Sequence, residues 1–306
     1  VGSPSEVNLR WSLIRGIVVA ATEAKIQEMT IAHSPDTDDA FMYYGLFKGA
    51  VETSGIKVNQ VMKDIQSLNL EAVKGTYEVS AISFAAYPSV RHIYKLMCCG
   101  SSMGENYGPM VVALPGTTID QLKEMTVAIP GKETSAFLTM RLWLHSLGLP
   151  ELNVVAVPFD QIVEQVLSGK VGAGLIIHES QLTYAQEGLT KLVDLGVWWQ
   201  SETGLPLPLG GNAVRKDLGD EMMHEAANMF KSSVQYALAN RTEALHYAMS
   251  FARDMDEATA DKFVTMYVND LTVDCGERGR EAVRLFFQRA YDTGIYKELI
   301  VPEFVV

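Results

Sequence analysis

The apolar run Gly174-Leu-Ile-Ile177 is followed at once by His178 and Glu179. A run of that kind reads as a buried strand, so His178 stands where the chain leaves the sheet. An imidazole titrates near neutrality, and at a cleft edge it can take a proton from a bound molecule. A structural hydrogen bond is the alternative use of such a histidine. Glu179 either orients the ring or starts the next helix. Three other segments also place polar side chains where a strand gives way to a helix. In His33-Ser-Pro-Asp-Thr-Asp-Asp39, the Ser34 and Thr37 hydroxyls and the first helix N–H groups can hold an anion. Asp36, Asp38 and Asp39 oppose that use; N-capping by Asp36 or Thr37, with acids in the first turn, is the alternative. In Gly131-Lys-Glu-Thr-Ser-Ala136, Gly131 lets the backbone approach a ligand. Thr134 and Ser135 add hydroxyls beside free N–H donors, a neutral cradle for a carboxylate or an ordinary cap. Ser83 follows the strand 79–82 in the same way, and ligand binding and capping both remain open for it.

Sheets must position these junctions. Short apolar runs predict strands at 29–33, 56–62, 79–82, 94–99 and 110–113, with helices over 38–47 and 65–73. A second cycle predicts strands at 126–129, 154–157, 173–177 and 191–195, alternating with helices over 133–147, 159–167 and 179–186. Strand–helix alternation of this kind gives an α/β fold with parallel or mixed sheets. The last part is helical, over 220–240, 242–254, 257–268 and 277–291. Pro115-Gly116 within 113–118 and the Gly- and Pro-rich segment 204–212 read as two crossings between lobes. They divide the chain into a first lobe of 29–115 plus 207–306 and an inserted lobe of 116–206. A ligand then binds between the lobes.

The 306 residues are 48% apolar, enough to bury a core in two lobes. The net charge of −12 and the absence of a Lys/Arg run exclude a broad nucleic-acid footprint. An anionic ligand has to be held by local devices against an unfavourable overall field. Three cysteines and six histidines show no metal-site spacing, so no structural metal and a reducing, cytoplasmic setting are expected. Arg10 and Arg15 precede the apolar stretch 16–21, which Glu23 and Lys25 end. A signal peptide needs ~7–15 apolar residues, and a membrane span more. Residues 1–28 are therefore expected to be a poorly ordered or loosely docked N-terminal helix, with no membrane association.

Ile176-Ile-His-Glu-Ser-Gln-Leu-Thr-Tyr184, Ser83-Phe-Ala-Ala-Tyr-Pro88 and Leu207-Pro-Leu-Gly-Gly-Asn212 resemble motifs of the 1,4-dihydroxy-6-naphthoate synthase family, from the futalosine route to menaquinone. The similarity runs from about Met29 into the C-terminal helices. It implies a two-lobed fold like the type II periplasmic solute-binding proteins, used as an enzyme. It further implies a carboxylate-bearing substrate, cyclic dehypoxanthine futalosine, and no cofactor. By the same resemblance His178 is the catalytic base. The resemblance also implies that Thr134 and Ser135 hold a carboxylate and that Ser83 lines the cleft; Ser34, Asp39 and Asn212 are expected to bind the substrate as well. The chain departs from the family in one place. Where the family has Ser-Pro-Cys-Pro-Asn-Asp-Thr-Phe, this chain has Ser34-Pro-Asp-Thr-Asp-Asp-Ala-Phe41, with Asp38 for an Asn and Ala40 for a Thr. The competing reading is a non-catalytic binding protein for a small carboxylate. The sister enzyme chorismate dehydratase shares the fold, but the histidine motif points away from it.

Overall fold

A computed structural model describes residues 28–251 and 256–306. The N-terminal helix expected within 1–28 lies outside the described residues, as does the end of the helix expected over 242–254.

Two sheets carry the chain. The first contains β1 (Glu28–His33), β2 (Lys57–Met62), β3 (Val79–Ser83), β4 (Tyr94–Met97), β5 (Ser102–Gly104), β11 (Leu207–Arg215) and β12 (Phe304–Val305). Its order is β12-β4-β11-β3-β1-β2, with β5 also paired to β11. The second holds β6 (Met110–Ala113), β7 (Thr126–Ile129), β8 (Asn153–Ala156), β9 (Ala173–Ile176) and β10 (Thr190–Asp194), in the order β10-β6-β9-β7-β8. The helices are α1 (Thr37–Phe47), α2 (Ile65–Ala72), α3 (Tyr87–Val90), α4 (Ser135–Ser146), α5 (Ile162–Leu167), α6 (Ser180–Thr183) and α7 (Leu195–Thr203). After β11 come α8 (Asp220–Ala239), α9 (Arg241–Met249), α10 (Glu257–Tyr267), α11 (Asp270–Val273) and α12 (Gly276–Asp292).

The two sheets repeat one arrangement. β1 lies between parallel neighbours β2 and β3, and β7 between parallel neighbours β8 and β9. Parallel pairs require long crossovers, which α1, α2, α4 and α5 supply. The C-terminal ends of β1 and β7 therefore each open into a helix N-terminus, the edge at which open α/β sheets take ligands.

Period-2 alternation explains the apolar runs of the second sheet. Val111 and Ala113 face a core with Val127, Trp143 and Leu175, whereas Met110 and Val112 face another with Ala128, Ile162 and Val166. A strand buried on both faces has no polar position to spend. Gly174 lets α5 lie close on β9, since a Cβ there would meet Ile162 Cγ2 at 2.5 Å. In the first sheet, Met29 and Ile31 pack with Phe41, Met229, Phe230 and Val264. On the other face Ile82 and Leu96 meet Tyr87, Phe286 and Phe287. The stripe Ala282, Val283, Phe286, Phe287 and Ala290 buries one side of α12 at helical spacing. Truncating Phe286 to Ala would cost about 3–5 kcal/mol at a site this enclosed.

The strand pairings show where the chain passes between the sheets. The segment 204–212, which reads as a hinge, enters strand β11 at Leu207; β11 runs antiparallel to β3, β4 and β5. Pro208 is tolerated because the pairing with β5 shifts register between Pro208 and Gly210, where a missing N–H breaks no regular ladder. β6 belongs to the second sheet, antiparallel to β9 and β10, so the chain changes sheets before Met110 rather than at Pro115-Gly116. The second sheet thus spans 110–194. The chain returns to the first sheet through α7, a helix absent from the sequence-based pattern.

Candidate active site

The two junctions face each other across a cleft with about 720 Å³ of atom-free space, part of it open to solvent. Ser34, Asp39, Ser83, Thr134, Ser135, His178 and Asn212 all line it, as do Asp36, Asp38, Gln181 and Tyr267. The lobes also touch directly. The Ala85 N–H donates to Ser135 Oγ at 3.2 Å, and Asn69 Nδ2 lies 3.5 Å from the Glu133 carbonyl.

The first junction is acidic and tightly built. Asp36 occupies the N-cap position of α1, yet its side chain makes no capping bond. Asp36 Oδ2 instead lies 3.4 Å from His178 Nε2, a charge contact without hydrogen-bond alignment. The Ser34 hydroxyl accepts from the Asp36 N–H at 3.2 Å, and the Ser34 N–H donates to Asp39 Oδ2 at 3.0 Å. Burial and the neighbouring Asp36 charge raise the Asp39 carboxyl to about 6, against the lowering effect of the Ser34 N–H. Asp38 is raised well above the carboxylate range, first by burial and then by the charges of Asp39 and Asp36. His33 is neutral: burial holds it down to about 4. Nδ1–H of His33 donates to the Ser34 carbonyl at 2.6 Å, which leaves Nε2 to accept from Gln60 at 2.8 Å.

His178 leaves β9 with φ +55°, in the left-handed region that few non-glycine residues adopt. The Phe159 ring packs edge-on against the imidazole with centroids 4.8 Å apart. Gln181 lies against the Tyr267 hydroxyl. In the amide orientation that satisfies every neighbour, its oxygen accepts from the His178 N–H (3.2 Å) and its nitrogen donates to the Gly108 carbonyl (3.0 Å). Burial works against the imidazolium, but the neighbouring acids, Asp36 first and Glu179 next, outweigh it, so the pKa of His178 is raised.

The second junction carries hydroxyls and backbone donors. Thr134 caps α4: its Oγ1 accepts from the Phe137 N–H (3.2 Å) and donates to the Gly131 carbonyl (2.8 Å). Ser135 and Ala136, at the first turn of α4, border the cleft. The open side of Gly131 faces Gln66 of α2, whose Oε1 would lie 2.2 Å from an added Cβ.

Ser83 does not cap the turn that follows it. Its N–H donates to Asn69 Oδ1 (2.8 Å) and its Oγ accepts from Asn69 Nδ2 (3.1 Å). Asn212 is committed on both sides: Oδ1 accepts from the Tyr43 hydroxyl (2.6 Å) and Nδ2 donates to the Gly100 carbonyl (3.0 Å). Tyr43 is itself stacked between His33 and Phe230. Asn69, Tyr267 and the Asp36–His178 contact escape the sequence reading. An Asn amid the apolar positions of a predicted helix is a usable signal for Asn69, whereas Tyr267 arrives from a distant helix without one. Among the described residues, no group of three or more His, Cys, Asp or Glu could hold a metal ion. None of the described helices is long and apolar enough to cross a membrane.

Two lobes with a ligand cleft between them define the architecture of periplasmic binding proteins. An alkanesulfonate-binding protein from Xanthomonas axonopodis superposes with a TM-score of 0.68 at 11% identity, over 90% of this chain and 96% of that one. The chain belongs to the menaquinone biosynthesis family, whose profile matches residues 29–292. A Thermus thermophilus protein named as a 1,4-dihydroxy-6-naphthoate synthase is 37% identical over 92% of this chain and 100% of its own length. A Streptomyces coelicolor protein of the same name is 35% identical over 89% and 95%. A crystal structure of a protein from Archaeoglobus fulgidus has a TM-score of 0.83 at 39% identity, covering 89% of this chain and 100% of that one.

Proposed function

We propose that this protein is a cofactor-independent, cytoplasmic carbon–carbon lyase that converts cyclic dehypoxanthine futalosine to 1,4-dihydroxy-6-naphthoate. The observation that carries the chemistry is His178: the residue borders the cleft, and its Nε2 lies beside Asp36 with no hydrogen-bond partner. A base needs such a free lone pair, with a carboxylate placed to stabilise the imidazolium that forms. His178 takes the proton whose removal starts the bond cleavage. The substrate carboxylate lies at the start of α4. There the N–H groups of Ser135 and Ala136 and the Ser135 hydroxyl donate to it, aided by the helix dipole. Ser83, held by Asn69, donates from the opposite wall. Ser34 and Asp39 shape the acidic wall, and Asn212 positions its floor through Tyr43 and Gly100. The lobe boundaries that fit this site are the two changes of sheet.

Incubating the purified protein with the cyclic futalosine and following product by mass spectrometry tests the reading. Release of the dihydroxynaphthoate, abolished in His178→Ala, is the expected result. Saturable binding of a carboxylate ligand without product would show a binding module instead.

A further inference from the structure

We propose that Asp38 is a neutral carboxylic acid in the cleft and that its O–H donates a hydrogen bond to an oxygen of the bound substrate. The substrate contact rests on the lyase reading above; the protonation state does not.

Asp38 is the second residue of α1, only 6% exposed, and it borders the cleft. Its Oδ1 is buried with no hydrogen-bond partner among the described residues. An ionised carboxylate accepts through both oxygens and is stable when buried only if donors surround it. The neighbouring acids have such compensation. Asp39 receives the Ser34 N–H at 3.0 Å, and Asp36 faces His178 at 3.4 Å. Asp38 has neither. The groups that face it are mostly anionic or neutral: Asp36 and Asp39 from its own junction, Glu179 beside His178, and the Tyr107 and Tyr267 phenols. His178, when protonated, is the cation nearby, and it already faces Asp36. Carboxylates crowded in this way cannot all ionise, and the proton rests on the one with least compensation. Burial and the adjacent charges push Asp38 in that direction.

A protonated carboxyl offers one donor and one acceptor in the plane of an amide. Asp38 thus has the hydrogen-bonding capacity of an Asn, but only while it keeps its proton. A donor at this wall, across the cleft from the carboxylate cradle, suits an oxygen that gains negative charge as His178 takes the proton.

Infrared difference spectra of wild type against Asp38→Asn at pH 7 read the proton directly. A protonated-carboxyl band that shifts in D2O and is missing from the variant is expected; its absence overturns the neutral acid. Kinetics read the contact. Asp38→Ala should lose about 10²-fold in kcat. Asp38→Asn, with a permanent N–H donor, should recover most of that loss and lack the alkaline fall in kcat/KM that the wild type shows. If Asp38→Asn is as impaired as Asp38→Ala while both melt cooperatively, the donor role is refuted. A wild-type band without any turnover would refute the lyase reading, and with it the substrate contact, and would leave the neutral acid standing.

Discussion

The junction after β1 and the junction after β7 are built alike and behave oppositely. Each is a central strand between two parallel neighbours, opening into a helix N-terminus at the same cleft. Each helix start favours an anion. The first turn of α1 carries Asp38 and Asp39, with Asp36 just before it, so the helix field is spent on the protein's own acids. The first turn of α4 carries no acid, and its cap is a threonine hydroxyl. The two ends therefore differ in their side chains and not in their backbone geometry. On the function proposed above, one wall fixes the substrate carboxylate and the other tunes the base.

The largest test of this division is His178→Ala, which should lower kcat about 10²–10⁴-fold. Ligand affinity, read by calorimetry, should stay within an order of magnitude, because the holding wall is untouched. Loss of affinity equal to the loss of turnover would merge the two roles. Next comes Ser135→Ala on the holding wall. A hydrogen bond to a charged group contributes about 1.5–3 kcal/mol, so KM should rise about 10- to 100-fold with little change in kcat. Thr134→Ala differs, because that hydroxyl is engaged within the turn. It should lower stability by about 1 kcal/mol through the lost cap and affect KM less than Ser135→Ala does. An equal effect of both on KM would mean that the Thr134 hydroxyl leaves its cap to hold the ligand.

The parts of this site that are legible in the sequence are local. A polar residue after an apolar run marks a strand end, which is how Ser34, Ser83 and His178 are found, and a hydroxyl before a helical pattern marks Thr134. What is hidden depends on chain crossings. β11 reads as a hinge because Pro and Gly are scored as breakers, whereas the bulge against β5 accommodates Pro208. Asp36 reads in the sequence as an N-cap or as a charge that opposes an anion, and only folding brings His178 to it. Asn69 holds Ser83, and Tyr267 holds Gln181, through contacts between distant segments that no spacing rule describes.

Asp36→Asn probes the proton wall alone. The base form of His178 exists only above its pKa, which Asp36 and the other acids raise. Removing the Asp36 charge lowers that pKa, so the acid limb of the kcat/KM profile should move to lower pH. A limb that stays in place or moves up would show that Asp36 does not tune the base.

The smallest effect is on stability. A carboxyl raised in the folded state keeps its proton better there than in the unfolded chain, where Asp titrates near 3.9. Its contribution is full below that pH and is lost as pH rises through the folded pKa. Asp38 is raised in this way, so the acid junction weakens the fold as the solution becomes alkaline. Asp38→Asn removes the titration. Its melting temperature should therefore gain on the wild type as pH is raised from about 5 to about 8, by about 2–4 °C for each kcal/mol relieved. The corresponding change in the holding wall, Ser135→Ala, removes no ionisable group and should shift the melting temperature equally at every pH. A pH-independent gap for Asp38→Asn would mean that its carboxyl is no more costly to ionise than one in water, and the contrast between the two junctions would then lie in shape rather than in charge.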